Sequence, residues 1–94
     1  MKRQCIVTGE KTLRHYKNIP LSKKGREQVY EVRDSIRSRL AEKHNLESTQ
    51  LVELVVGFPV NFRMILNCYK LKKDPYESFG LAVVATELQE TNEV

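Results

Sequence analysis

SKKGREQVYEVRDSIRSRLAEKH, residues 22–44, carries the clearest structural pattern of the chain. Its apolar side chains recur at spacings of three and four residues, as they do in one buried stripe along an α-helix. The stripe consists of Val29, Val32, Ile36 and Leu40. Ser22 is a favourable N-cap residue, and Asn45 tolerates the left-handed conformation in which many helices end. The pattern therefore predicts one long helix over about 22–44.

The region after this helix is compatible with two kinds of structure. Its apolar segments are rich in Val, Ile, Leu and Tyr, which also suit a C-terminal β-meander. The segments are 50–56, 62–71 and 81–88. We favour three short helices, because a capping residue precedes each segment, namely Ser48, Asn61 and Asp74. Pro75 supports the third helix, since proline suits the first helical position. We predict a mainly α fold, with α+β as the alternative.

The beginning and end of the chain complete the predicted organisation. Residues 4–8 and 12–17 are short segments that could pair as a hairpin within a basic N-terminal segment, residues 1–20. The polar residues 89–94 are expected to form a frayed tail. Ninety-four residues suffice for one small domain and are too few for two. The predicted core consists of Val29, Val32, Ile36, Leu40, Leu51, Leu54, Val55, Phe62, Ile65, Leu66, Tyr69, Phe79, Val83 and Val84.

Composition and hydropathy exclude several classes of protein. Apolar residues make up 40% of the chain and charged residues 30%, with both signs interspersed, which is typical of a globular domain. The most apolar segment, 51–60, is interrupted by Glu53, Gly57 and Pro59, so no window approaches the roughly 20 apolar residues that span a bilayer. The N-terminal residues show no signal peptide. We therefore expect a cytoplasmic protein with no membrane partner.

Residues that could carry catalysis are sparse. Cys5 and Cys68 form no CxxC pair, which excludes a zinc ribbon or a thioredoxin-type site built from local ligands. We expect two free thiols, at least one of them buried. His15 and His44 are the only histidines, and neither belongs to a recognisable motif. The chain is therefore expected to be non-enzymatic and to use no metal and no cofactor.

Charge is distributed unevenly along the chain. Residues 1–44 contain twelve Lys or Arg against five Asp or Glu, whereas residues 45–94 contain four against seven. Such asymmetry can mark a surface for an anionic partner. The basic residues of the long helix recur at helical spacing and include one aromatic. The predicted surface consists of Lys23, Arg26, Tyr30, Arg33 and Arg37 on the helix and of Lys11, Arg14 and Lys17 before it.

Two interpretations of this basic surface remain open. It could contact phosphates, since arginine donates bidentate hydrogen bonds to them. It could instead be a solvated or internally paired face, because Glu27, Glu31 and Asp34 lie nearby. We expect a small regulatory protein that binds nucleic acid or a nucleoprotein complex. The alternative is an adaptor or inhibitor that docks on an acidic patch of a larger protein, with Phe58 as a contact. A homodimer is compatible with both.

Overall fold

The computed structural model of the chain describes residues 1–81. Four two-residue strands come first: β1 (Arg3–Gln4), β2 (Lys11–Thr12), β3 (His15–Tyr16) and β4 (Ile19–Pro20). The helices that follow are α1 (Lys23–Lys43), α2 (Val52–Val56), α3 (Phe62–Lys70) and α4 (Pro75–Ser78), with a 3₁₀ turn at Thr49–Leu51 before α2. The mainly α prediction is confirmed. The alternative, a C-terminal β-meander, is wrong for its first two segments, 50–56 and 62–71, which are helical. Its third segment, 81–88, lies almost wholly outside the described residues.

The long helix α1 follows its prediction closely. The Ser22 side chain accepts a hydrogen bond from the amide of Gly25 at 3.0 Å, which satisfies one of the free N–H groups at the helix start. The helix ends where Asn45 adopts a left-handed conformation, with φ of 59°. Its buried residues are Gly25, Val29, Ile36, Leu40 and Ala41, and Val32 is partly buried beside them.

The N-terminal segment forms two small antiparallel ladders, which confirms the short hairpin, although the first ladder pairs 3–4 with 11–12 and not the whole of 4–8 with 12–17. β1 pairs with β2, and β3 pairs with β4. Residues 5–8 form a turn, in which the Gly9 amide donates to the Cys5 carbonyl at 2.9 Å. Lys17 and Asn18 form the two-residue loop between β3 and β4. Both have positive φ, as the two central residues of a type I′ turn do. The sequence lacks the usual glycine at this turn, which is why the second ladder was not predicted.

The orientation of α2 differs from the prediction. Leu51, Leu54 and Val55 were predicted to lie in the core, but they are 43%, 79% and 49% exposed. Val52 is fully buried instead. The cause is Glu53, whose carboxylate accepts a hydrogen bond from Arg37 at 2.7 Å and another from the Val60 amide at 3.2 Å. These contacts turn the Val52 side of α2 toward α1 and leave the leucines on the outside.

The helices α3 and α4 begin where their capping residues predicted. The Asn61 side chain accepts from the Met64 amide, and the Asp74 side chain accepts from the Tyr76 amide. However, α4 ends at Ser78 and does not continue as predicted through Phe79 and Gly80. Gly80 has a φ of 78°, which breaks the helix, and the predicted core residues Val83 and Val84 lie outside the described residues. The predicted frayed tail, 89–94, also lies outside them.

The core lies between α1, α3 and the N-terminal turns. Most of its predicted members are buried or partly buried: Val29, Val32, Ile36, Leu40, Phe62, Ile65, Leu66, Tyr69 and Phe79. The members of the hydrophobic core cluster that the helical pattern did not identify are Cys5, Leu21, Ala41, Val52, Val60 and Cys68. Both cysteines are free and buried, as expected. Cys5, Leu21 and Val60 lie in loops, where no periodicity indicates which side chains face inward.

Candidate nucleic-acid interface

The residues of the predicted basic surface differ in exposure and do not form one continuous exposed stripe. Lys11, Arg14, Lys17, Lys23, Arg26 and Tyr30 are exposed, whereas Arg33 and Arg37 are partly buried. Within residues 1–81, the side chains of Lys11, Arg14 and Lys23 form no hydrogen bond or ion pair. They remain candidates for solvent or partner contacts, and they lie outside the concave surface described below.

Arg37 contributes to the interior of the fold. Its guanidinium donates one hydrogen bond to the Val60 carbonyl at 2.9 Å and one to the Glu53 carboxylate at 2.7 Å. Both partners come from the segment between α2 and α3, so Arg37 joins that segment to α1. These two partners hold the guanidinium against the segment between α2 and α3, so we do not include Arg37 in the interface described below.

Arg33 is also engaged within the chain, but locally. Its Nε and Nη2 atoms both donate to Oδ1 of the neighbouring Asp34, at 3.0 and 2.9 Å. The guanidinium also lies 5.0 Å from the centre of the Tyr30 ring. An ion pair at the surface is worth at most about 1 kcal/mol, so a phosphate could displace Asp34 at small cost. Arg33 could therefore contribute to an interface only after it exchanges Asp34 for a phosphate.

Arg26 lies at a cluster of aromatic rings that joins three parts of the fold. Tyr16 and Phe62 meet edge to face with ring centres 5.1 Å apart, and Tyr30 lies 4.9 Å from Phe62. The Arg26 guanidinium is 5.9 Å from the Tyr16 ring centre and 5.8 Å from that of Phe62. The cluster connects the β3–β4 turn, α1 and the start of α3, and it presents a cation on an aromatic surface.

A concave surface lies beside this cluster, between the β3–β4 turn and α3. We call it the basic cleft. It has a volume of about 610 Å³, and its walls are formed by Tyr16, Lys17, Ile19, Pro59, Asn61, Arg63, Met64, Leu66, Asn67 and Lys70. Three of these residues are cations and none is a carboxylate. The cleft therefore concentrates positive charge around a partly apolar floor, which suits an anionic ligand with flat apolar parts.

Two of the cleft cations, Arg63 and Lys70, were not predicted as site residues. The sequence from residue 45 onward is acidic overall, so its average charge does not indicate a basic site there. A usable signal nevertheless existed. In the predicted helix after Asn61, Arg63 and Lys70 are seven residues apart, and they fall on the side opposite the apolar residue Ile65. Their meeting with Lys17 depends on the tertiary fold and could not be read from the sequence.

A different surface surrounds Phe58. Its ring stacks on the buried Phe79 with centres 5.5 Å apart, and the residue is 39% exposed. The exposed apolar side chains Leu51, Leu54 and Val55 belong to the neighbouring 3₁₀ turn and α2. We call these four residues the apolar patch. Phe58 thus packs partly inward while more than a third of its surface remains exposed for a contact.

The buried thiol of Cys5 lies beneath the start of α1. Burial opposes its ionisation, but hydrogen bonds from Ser22 and Thr8 outweigh this effect and lower the pKa of the Cys5 thiol to about 6. With 2% of its surface exposed, Cys5 is inaccessible to a substrate. Within residues 1–81, no three His, Cys, Asp or Glu side chains lie together in a way that could hold a metal ion.

None of the helices within residues 1–81 combines the length and apolar character that crossing a bilayer requires. In comparisons with known proteins, no family model matches the chain, and no curated protein and no solved structure matches it significantly. Evidence on function therefore comes from the chemistry of the basic cleft, the aromatic cluster and the apolar patch.

Proposed function

We propose that this is a small, non-enzymatic, cytoplasmic regulatory protein that binds nucleic acid through the basic cleft and the adjoining Arg26. The observation that carries the proposal is the composition of the cleft, with Lys17, Arg63 and Lys70 and no carboxylate in its walls. Arg26 extends the positive surface along the aromatic cluster toward α1. Cations from three separate elements thus converge on one side of the protein.

Phosphate binding explains this arrangement better than internal stabilisation does. Within residues 1–81, Lys17, Arg63 and Lys70 have no ion-pair partner, and the walls of the cleft contain no carboxylate to offset their charges. Bringing like charges close costs free energy, which an anionic ligand would offset. A backbone with regularly spaced phosphates matches several separated cations, and contacts to it supply most of the affinity of non-specific nucleic-acid binding.

Binding should be measured by fluorescence anisotropy with labelled duplex and single-stranded oligonucleotides over a range of salt concentrations. We expect affinity to fall as salt rises, with a logarithmic slope of about −3 to −4 if four cations each neutralise one phosphate of a duplex. The double variant Lys17→Ala, Arg63→Ala should reduce the magnitude of this slope by about 2.

A matched control removes two positive charges elsewhere. Lys72 and Lys73 are exposed residues between α3 and α4 and lie outside the basic cleft. We expect the double variant Lys72→Ala, Lys73→Ala to retain nearly all of the binding. Equal weakening by the two double variants would show that only net charge matters, and no binding at low ionic strength would contradict the proposed function.

The apolar patch favours a second candidate function, an adaptor or inhibitor that docks on a larger protein. Leu54 is 79% exposed at the surface of a short helix, and Phe58, four residues further along the chain, is 39% exposed. Exposed apolar groups of this kind are typical anchors of protein interfaces. Affinity purification with and without nuclease tests this candidate. A partner that survives nuclease and is lost on Phe58→Ala would support it, whereas one lost on nuclease treatment would not.

A further inference from the structure

The basic cleft combines two kinds of surface in one concavity. Besides its three cations and two asparagines, half of its wall residues are apolar or aromatic, namely Tyr16, Ile19, Pro59, Met64 and Leu66. Contact with phosphates uses the cations but leaves this apolar half uncovered. The cleft therefore suits a ligand that brings a flat apolar group together with negative charge, as a nucleotide with an unpaired base does.

Tyr16 places an aromatic ring in the wall of the cleft. The edge-to-face contact with Phe62, at 5.1 Å between ring centres, holds this half-buried ring in position. Lys17 Nζ lies 5.7 Å from the centre of the Tyr16 ring, and the Arg26 guanidinium lies 5.9 Å from it. Proteins that bind single strands combine aromatic rings, on which bases stack, with cations that contact the backbone. Tyr16 and its neighbours bring these two elements together.

The two asparagines supply neutral hydrogen-bonding groups in the same cleft. Asn67 is exposed, and its side chain forms no hydrogen bond within the described part of the chain. The Asn61 oxygen accepts from the Met64 amide at 3.0 Å, which leaves the NH₂ group of Asn61 to donate elsewhere. Amide groups serve phosphate oxygens as well as base edges, so both asparagines suit a nucleotide in the cleft.

The size of the cleft favours a single strand over a duplex. Its volume of about 610 Å³ is that of a site for a small molecule, and a double helix, whose major groove alone is about 12 Å wide, cannot enter it. The bases of a duplex stay stacked inside the helix unless one is extruded at a cost in free energy. A duplex would therefore reach the cations at the rim and leave the apolar wall uncovered, whereas an unpaired base can lie against that wall.

The cations are placed so that a strand can pass through the cleft. Arg63 and Lys70 are two turns apart on α3, about 10 Å along the helix axis, and Lys17 comes from the β3–β4 turn. Such separated charges suit successive phosphates of one chain better than a single phosphate group. A strand thus offers the cleft more contacts than a free mononucleotide does.

We infer that the basic cleft binds single-stranded nucleic acid, with an unpaired base against Tyr16 and Met64 and the flanking phosphates on Lys17, Arg63 and Lys70. This inference rests on the proposed nucleic-acid binding and adds the strandedness of the ligand and the contribution of the base. It makes Tyr16, which carries no charge, a determinant of affinity.

The experiment compares ligands that share a backbone but differ in their bases. A single-stranded DNA oligonucleotide, an abasic strand of the same length and the duplex of the same sequence are titrated by fluorescence anisotropy at several salt concentrations. The abasic strand keeps every phosphate. We expect the wild-type chain to bind the base-bearing strand about tenfold more tightly than the abasic strand, and more tightly than the duplex. The same series made of RNA shows which sugar the cleft prefers, and the base effect is expected in the tighter of the two.

Variants of Tyr16 test the position of the base. Tyr16→Leu keeps an apolar side chain but removes the ring, so it should bind the base-bearing and abasic strands with nearly equal affinity and an unchanged salt slope. Tyr16→Phe should retain the tenfold difference. Because Tyr16 also packs on Phe62, Met64→Ala gives a second test at an exposed position, with a smaller loss in the same direction.

Two further variants separate the base contact from charge and from general effects of substitution. Lys70→Ala should weaken binding of base-bearing and abasic strands by a similar factor and should reduce the magnitude of the salt slope by about 0.7. Leu54→Ala, at an exposed apolar position outside the cleft, is the matched control for Met64→Ala and should bind as the wild type does. Circular dichroism and thermal unfolding of each variant establish that the fold is retained.

The outcomes distinguish the inference from the function on which it rests. Equal affinity of the wild-type chain for base-bearing and abasic strands, or tighter binding of the duplex, would overturn the inference and leave nucleic-acid binding standing. A folded Tyr16→Leu variant that keeps the full difference would overturn the position assigned to the base. Absence of binding to every strand and duplex at low salt would contradict both the inference and the proposed function.

Discussion

The two halves of α1 show how the same residue type takes different roles on one helix. Arg26 and Arg37 are eleven residues apart, about three turns, and both belong to the basic pattern of residues 22–44. Arg26 is exposed and lies over aromatic rings, whereas Arg37 is partly buried and holds the Glu53 carboxylate and the Val60 carbonyl. The difference comes from what the rest of the chain places opposite each position. Helical spacing identifies a face but does not identify its partners.

Of these two arginines, Arg37 should contribute far more to stability. Arg37→Met removes both hydrogen bonds and leaves Glu53 with only the Val60 amide. Because these are charge-assisted bonds in a partly buried place, we expect a loss of about 2–3 kcal/mol in the free energy of unfolding. Arg26→Met should cost at most about 1 kcal/mol, since it loses only exposed cation–π contacts. Urea unfolding measures the free energy of unfolding of both variants. Equal losses would contradict the different roles assigned to Arg26 and Arg37.

Substitution of Gly25 should have the next largest effect, at the N-terminal end of α1. A methyl group at this position would lie 2.6 Å from the Cys5 sulfur and 3.1 Å from Cδ1 of Leu21. We expect Gly25→Ala to destabilise the protein by about 1–2 kcal/mol, although alanine is the better helix former. In a Cys5→Ala background the main clash is absent, so the same change should be neutral or stabilising. Destabilisation of equal size in both backgrounds would contradict this packing.

The Cys5 thiol should make stability depend on pH. Its pKa in the folded protein is about 6, below the ordinary value of 9.0, so the thiolate is favoured by folding. This stabilisation is complete above pH 9 and is lost as pH falls through 6. Between pH 6 and 7 we expect it to add about 1 kcal/mol to the unfolding free energy. The difference between wild type and Cys5→Ala, followed by urea unfolding, should show this rise, and a constant difference would contradict it.

Substitution within the apolar patch should have the smallest effect. Leu54 is 79% exposed, and Leu54→Lys removes little buried surface. We expect a change of no more than about 0.5 kcal/mol in the free energy of unfolding. The matched substitution Val52→Lys, at a fully buried position of the same helix, should prevent stable folding. Comparable damage from both would mean that α2 is rotated as its sequence pattern predicted.

The parts of the fold that follow from local chemistry were predictable from the sequence. The extent of α1 follows from its apolar spacing and from Ser22, and the starts of α3 and α4 follow from Asn61 and Asp74. Each of these signals involves residues within a few positions of one another. The orientation of α2 was not predictable, because it depends on Arg37 and Glu53, which are sixteen residues apart.

The candidate site was only partly predictable for the same reason. Lys17 and Arg26 were identified from charge and helical spacing, and both adjoin the basic cleft or its aromatic neighbours. Arg63 and Lys70 were missed, because the charge of the second half of the chain is negative on average and hides a local basic face. The cleft itself exists only because the β3–β4 turn packs beside α3, which no local pattern encodes.

The most direct test of nucleic-acid binding is to map the bound surface by NMR during titration with a short single-stranded DNA at low salt. We expect the largest chemical-shift changes at Lys17, Arg26 and the α3 residues Arg63, Asn67 and Lys70, with little change at Leu54. Shift changes confined to the apolar patch, or no changes at any residue, would contradict the proposed interface.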